Sequence, residues 1–105
     1  MNTDEQALVT DVAEKVSLGP LQRGWRGIDA VLPMLERMRA EGAVVVIKLD
    51  GQRTSLDDGG SYTIIVTAPA RGGDVIRRDA NTLEQGLAGV ILEYARVHWG
   101  YEQPS

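Results

Sequence analysis

The spacing of apolar positions divides the chain into segments of two kinds. In residues 9–16, 28–38 and 83–94, apolar side chains recur at intervals of three and four, which is the period of one helix face. Between residues 43 and 68 they gather in two β-branched runs, and the second run alternates apolar and polar positions as a strand does. This pattern predicts the element order α-α-β-β-β-α, with a short third strand near residues 75–78.

The first predicted helix has a clear beginning and end. Thr3 and Gln6 are spaced as a capping box, which satisfies backbone donors at a helix N-terminus. Gly19-Pro20 ends the helix because proline cannot continue it. Its apolar face is narrow and made of small side chains, so we expect a helix at the periphery of the fold or against a second subunit. The members of that face include Val9, Val12 and Val16.

Cap residues also mark the two later helices. Asp29 is the predicted N-cap of the second helix, which places Pro33 in its first turn, where a missing N–H costs little. Asn81 or Thr82 caps the last helix. Gly86 and Gly89 weaken that helix, and we expect their compensation to be close approach to the sheet or to another helix.

The strand segments predict an antiparallel sheet. Residues 43–49 are apolar on both faces except at Lys48, which is typical of a strand inside a sheet. In residues 61–68 one face is apolar, while Ile65 stands among threonines on the other. The predicted fold is a single α+β domain with a three-stranded meander and helices packed on one face. Residues 1–19 form a peripheral N-terminal helix, residues 28–99 the core unit, and residues 100–105 a frayed tail.

Composition narrows the class of protein. A chain of 105 residues fits one domain, and it contains no cysteine, which excludes disulfides and thiolate metal sites. Its net charge of −4 argues against a dedicated nucleic-acid binder. Neither a secretory leader nor an apolar run long enough for a membrane span is visible. Arginine outnumbers lysine nine to two, which we interpret as a GC-rich bacterial background, and we expect a cytoplasmic location.

Two features invite a catalytic or metal-binding interpretation, and neither supports it well. The loop with Asp50, Asp57 and Asp58 lacks the ligand spacing of a calcium loop, and aspartates are ordinary turn formers. His98 is the single histidine, and no serine or acid is placed near it by spacing. We expect no metal and no cofactor, and we find no sequence support for an enzyme.

The connector Arg23-Gly24-Trp25-Arg26-Gly27 is the most specific candidate for ligand binding. An aromatic ring between two guanidinium groups could stack on and bind an anionic ligand. The alternative is that Trp25 fills the edge of a small core while Arg23 and Arg26 stay in water, and we favour this one.

The α-β-β-β-α order also resembles the layout of double-stranded-RNA-binding domains. Arg71, Arg77 and Arg78 gather near the third strand, but the predicted start of the last helix carries no lysine cluster for phosphate contacts. The resemblance is therefore limited to topology and identifies no family.

Self-association is the function that the sequence favours. The helices of this fold cannot cover both faces of the sheet, so apolar surface remains for a partner. We predict a homodimer without catalysis, and the predicted interface residues are Val9, Val12, Val16 and Ile65. The alternative is an anionic-ligand or nucleic-acid binding module that uses Arg23, Trp25 and Arg26. An enzyme that uses His98 and a loop aspartate has the least support.

Overall fold

A computed structural model describes residues 4–52, 60–68 and 74–103. The elements in chain order are α1 (Glu5–Lys15), α2 (Ile28–Ala40), β1 (Val44–Leu49), β2 (Tyr62–Thr67), β3 (Val75–Ala80) and α3 (Leu83–His98). The three strands form an open antiparallel sheet in the order β1-β2-β3. The predicted α+β fold with the order α-α-β-β-β-α is confirmed.

One face of the sheet carries the core. Ile64, Val66 and Ile76 are buried there, with Val45 and Ile47 of β1 partly buried beside them. The helix α3 lies over β2 and β3, while α2 lies over β1. Strand alternation places the core side chains on the face that the helices cover. On the opposite face, which we call the open face, Val44, Val46 and Val75 are exposed, whereas Thr63 is buried.

The position of β1 differs from the prediction. We predicted a strand inside the sheet, but among the described strands β1 pairs with β2 alone and is an edge strand. Apolar side chains on both faces are compatible with either position when part of the apolar surface remains exposed. Val44 and Val46 on the open face are 58% and 48% exposed. The prediction was wrong because it assumed that both faces of β1 are covered by the chain itself.

The first helix packs into the core against α3. Val9 and Val12 are fully buried, and Val16 packs against the same core from its margin. The narrow valine face, which the sequence placed at the periphery or against a second subunit, is thus used within this chain. The N-cap is Asp4, whose side chain accepts a hydrogen bond from the Ala7 N–H at 3.1 Å. The predicted cap Thr3 lies outside the described residues.

The N-cap of α3 agrees with the sequence prediction, whereas the N-cap of α2 does not. Of the two predicted caps of α3, Asn81 and Thr82, the structure shows Thr82, whose hydroxyl accepts a hydrogen bond from the Gln85 N–H at 3.1 Å. The helix α2 begins earlier than predicted, after Gly27, whose φ of 83° favours glycine. The prediction of Asp29 as its N-cap was therefore wrong, and Pro33 lies inside the helix rather than in its first turn.

Gly86 and Gly89 face the sheet, which is one of the two predicted alternatives. A Cβ atom at Gly86 would lie 2.3 Å from Ile64 Cδ1, and one at Gly89 would lie 2.4 Å from Arg78 Nη1. The missing side chains allow α3 to lie directly on β2 and β3, so the predicted close approach is confirmed.

Candidate functional site

Exposed apolar side chains concentrate around β1. The large hydrophobic residues that the structure shows as exposed are Ile28, Leu32, Val44, Val46, Leu49, Val75 and Val97. All of these except Val97 lie on α2, on β1 or on the open face of the sheet. Large apolar patches on a domain of this size mark interaction surfaces.

A groove separates α2 from β1 on the helix side of the sheet. Its volume is about 470 Å³, and its apolar lining includes Ile28, Leu32, Val45 and Ile47. Two charged residues on its wall, Glu36 and Arg39, form an ion pair with each other at 2.7 Å. The groove therefore offers an apolar floor and a wall whose charges compensate each other. We call this surface the α2–β1 groove.

The open face of the sheet has an apolar end and a polar end. Its cross-strand rows are Val44–Thr67–Val75, Val46–Ile65–Arg77 and Lys48–Thr63–Asp79. In the last row the Thr63 hydroxyl hydrogen-bonds to Asp79 at 2.6 Å, and Arg77 pairs with the same carboxylate at 3.4 Å. The apolar end continues around β1 into the α2–β1 groove, so apolar surface flanks this strand on both sides.

The outer edge of β1 presents backbone groups in a regular pattern. The Asp50 N–H donates to the Ser61 carbonyl at 2.8 Å, which makes these two residues a hydrogen-bonded pair. Because such pairs alternate in antiparallel strands, residues 44, 46 and 48 bond to β2. Val45, Ile47 and Leu49 consequently direct their N–H and C=O groups outward. Within the described residues these groups have no hydrogen-bond partner.

The other edge of the sheet is different in character. β3 carries Arg77, Arg78 and Asp79 in succession. The Arg78 guanidinium reaches Glu5 at 3.1 Å and Glu93 at 3.8 Å, which ties this strand to α1 and α3. Charged side chains protect an edge strand from pairing with other chains. Of the two edges, β1 is therefore the one suited to a partner.

The connector of residues 23–27, which the sequence suggested as a ligand-binding segment, contains a buried tryptophan. Trp25 is 3% exposed, and its Nε1 donates to the Gln6 carbonyl at 2.8 Å, while the Gln6 side chain donates to the Trp25 carbonyl. The interpretation of Trp25 as a core residue is confirmed. Arg23 and Arg26 are exposed, and neither forms an ion pair within the described residues. The role of these two arginines in ligand binding remains a prediction. The buried Trp25 ring offers no exposed face on which a ligand could stack.

A polar cluster around Glu41 joins the C-terminal ends of α2 and α3. The Glu41 carboxylate accepts hydrogen bonds from the Tyr94 hydroxyl at 2.8 Å, from Trp99 Nε1 at 3.0 Å and from Arg37 Nε at 3.1 Å. Partial burial alone would raise the pKa of Glu41, but these three donors outweigh it and lower that pKa below its usual value. Burial and the hydrogen bond to Glu41 raise the pKa of Tyr94 to about 12. The cluster holds the two helix ends together.

His98 contributes an aromatic contact. Its ring lies 4.4 Å from the Tyr94 ring, and its Nε2 is buried without a hydrogen-bond partner. Within the described residues, no carboxylate or hydroxyl forms a hydrogen bond with this nitrogen.

The acidic loop and the polar surface provide no metal site in the part of the chain that is described. No group of three potential His, Cys, Asp or Glu ligands occurs there. Asp50 pairs with Lys48 at 3.5 Å, whereas Asp57 and Asp58 lie outside the described residues. A polar cavity of about 510 Å³ lies between α1 and β3, and its lining residues Glu5 and Arg78 are ion-paired with each other.

Of the four predicted interface residues, Ile65 is the one on an open surface, where it is half-buried between Val46 and Arg77. Ile28 and Leu32 were not predicted as interface residues, because both belong to the same apolar stripe as the buried residues Val31 and Leu35. The signal in the sequence was the width of this apolar stripe. It is wider than the surface that a single strand beneath the helix can cover, so part of the stripe stays exposed.

The chain matches no protein-family model, and comparisons with curated proteins and with solved structures gave no match. None of the helices in the described ranges is long and apolar enough to cross a bilayer.

Proposed function

We propose that this protein acts by binding a second copy of itself and that the homodimer is its working form. The observation that supports this proposal is the concentration of exposed apolar side chains around a single strand, β1, with Ile28 and Leu32 on one side and Val44 and Val46 on the other. Burial of such surface stabilises association in proportion to the apolar area removed from water. A bacterial cytoplasmic setting, consistent with the absence of cysteine, belongs to the same proposal.

A second copy fits this surface better than a strongly charged partner does. The ion pair between Glu36 and Arg39 leaves the wall of the α2–β1 groove without a net charge that would select an acidic or a basic molecule. In a twofold-symmetric pair, each copy presents the same surface with both charge signs, so the contact does not bring together charges of one sign only. The charged β3 edge discourages head-to-tail growth, which favours a closed pair over an open array.

The test is the molar mass of the protein in solution. Light scattering or sedimentation across a hundredfold dilution that begins well above micromolar should give the mass of two chains at the concentrated end. Leu32→Glu, which places a carboxylate in the groove, should shift the equilibrium to the monomer. Val97→Glu is the matched control, because Val97 is 58% exposed on α3 and does not line the groove. A monomeric mass at every concentration would refute the proposal.

The exposed arginines support a second candidate function. Arg23 and Arg26 lie in water without a carboxylate partner among the described residues, and guanidinium groups bind carboxylates and phosphates well. An anionic ligand at this connector is compatible with a homodimer formed at β1.

A further inference from the structure

We infer that the two copies join edge to edge through β1, so that their sheets form one continuous antiparallel sheet with a twofold axis at Ile47. This inference rests on the proposed homodimer and specifies its contact. The partner of β1 is then the β1 strand of the second copy, and backbone hydrogen bonds together with the α2–β1 groove form the interface.

The backbone of β1 is prepared for this pairing. Val45, Ile47 and Leu49 all direct their N–H and C=O groups outward, and the register with β2 runs through residues 44–49 without a bulge. An axis at Ile47 places Ile47 beside its own copy and Val45 beside Leu49 of the other chain. Residues with outward groups then meet only residues with outward groups, as an antiparallel ladder requires.

Neighbouring registers are less favourable. An axis at Lys48 would place two ammonium groups directly opposite each other, and like charges in a cross-strand pair are destabilising. An axis at Val46 would place Leu49 beside Ala43, whose N–H already donates to the Met38 carbonyl at 2.9 Å. The axis at Ile47 instead puts Lys48 opposite Val46, an uncharged residue.

The same axis also covers the α2–β1 groove. A twofold rotation at the β1 edge brings α2 beside the α2 helix of the other copy, on the helix side of the joined sheet. Ile28 and Leu32 then pack across the axis, where the two helices run antiparallel to each other. The backbone contact of β1 and the apolar contact of α2 thus come from one self-complementary surface.

Amide hydrogen exchange tests the contact directly. In the dimer the amides of Val45, Ile47 and Leu49 should exchange at least about tenfold more slowly than in the monomeric Leu32→Glu variant. The amides of residues 44, 46 and 48 should be protected in both forms, because they bond to β2. A dimer whose three outward amides exchange as fast in the dimer as in the monomer overturns the edge contact and leaves the proposed homodimer intact. A protein that is monomeric throughout overturns both.

Cysteine cross-linking tests the register, since the chain has no cysteine of its own. With the axis at Ile47, a mixture of Val46→Cys and Lys48→Cys proteins should form a disulfide-linked pair, because the two positions lie opposite at about 4.5 Å between Cα atoms. Each variant alone should not, since equivalent positions are then about 8 Å apart. Efficient cross-linking of Val46→Cys alone, or of Lys48→Cys alone, would instead place the axis at that residue and overturn the assigned register.

Discussion

Replacing Gly86 with alanine tests how closely α3 lies on the sheet. The new Cβ would lie 2.3 Å from Ile64 Cδ1 and 3.4 Å from Ile64 Cγ1. Ile64 is fully buried in the central strand, so its side chain cannot turn away into solvent. Overpacking of this kind costs typically 1 to 3 kcal/mol. Alanine returns about 1 kcal/mol of helix propensity, so we expect a net loss of about 0 to 2 kcal/mol in unfolding free energy.

Gly89→Ala is the matched control on the same helix. There the Cβ would meet the Arg78 side chain, at 2.4 Å from Nη1 and 2.9 Å from Cγ. Arg78 is about one third exposed and can move outward, which weakens its ion pairs with Glu5 and Glu93. Pairs of this exposure are worth about 0 to 1 kcal/mol, so the propensity gain should leave this variant near wild type. Leucine is too large for either position, and we expect it to destabilise both.

Urea denaturation followed by circular dichroism, at one fixed protein concentration, measures these differences. The slope with denaturant should stay the same for both alanine variants. A Gly86→Ala protein that is about 1 kcal/mol more stable than wild type would mean that the position is open and that the packing of α3 on β2 is wrong. A larger loss at Gly89 than at Gly86 would also contradict the argument.

Two further predictions concern the connector and the Glu41 cluster. Trp25→Ala should lower the unfolding free energy by about 3 to 5 kcal/mol, whereas changing Arg23 and Arg26 to glutamine should alter it by less than about 0.5 kcal/mol in the same urea assay; a stable Trp25→Ala protein would contradict the core role. Because the folded pKa of Glu41 is lowered, its carboxylate stabilises the fold above the ordinary value of 4.5, and this contribution is lost as the pH falls through the folded pKa. Glu41→Gln should therefore reduce stability at neutral pH and flatten the acid limb of thermal melts. The folded pKa of Tyr94 is raised to about 12 from 10.0, so the contribution of its hydroxyl to stability is complete below pH 10 and is lost as the pH rises through 12. Tyr94→Phe should therefore reduce the loss of stability at alkaline pH. If the acid limb is unchanged in Glu41→Gln, or the alkaline limb in Tyr94→Phe, the role given to that residue is refuted.

The periodicity of the sequence was sufficient for the fold class. Helical and strand spacings are local properties, so the order α-α-β-β-β-α could be predicted without knowledge of any contact. Local chemistry also narrowed the cap of α3 to Asn81 or Thr82, because the side chain of a cap and the N–H that it binds three residues later are close in sequence. The glycines at 86 and 89 predicted close packing, since two such residues inside a helix need a compensating contact.

Tertiary structure alone decided which apolar residues remain exposed. β1 has the composition of an interior strand, but its place at the edge depends on which strands the chain brings beside it, and side-chain alternation within one strand does not encode that. Ile28 and Leu32 share a stripe with buried neighbours, and the width of the surface beneath α2 determines where burial stops. Val9 and Val12 are core residues because α1 packs against α3, which covers both side chains. Burial depends on neighbours distant in sequence, and so the candidate interface emerges only when the elements are packed together.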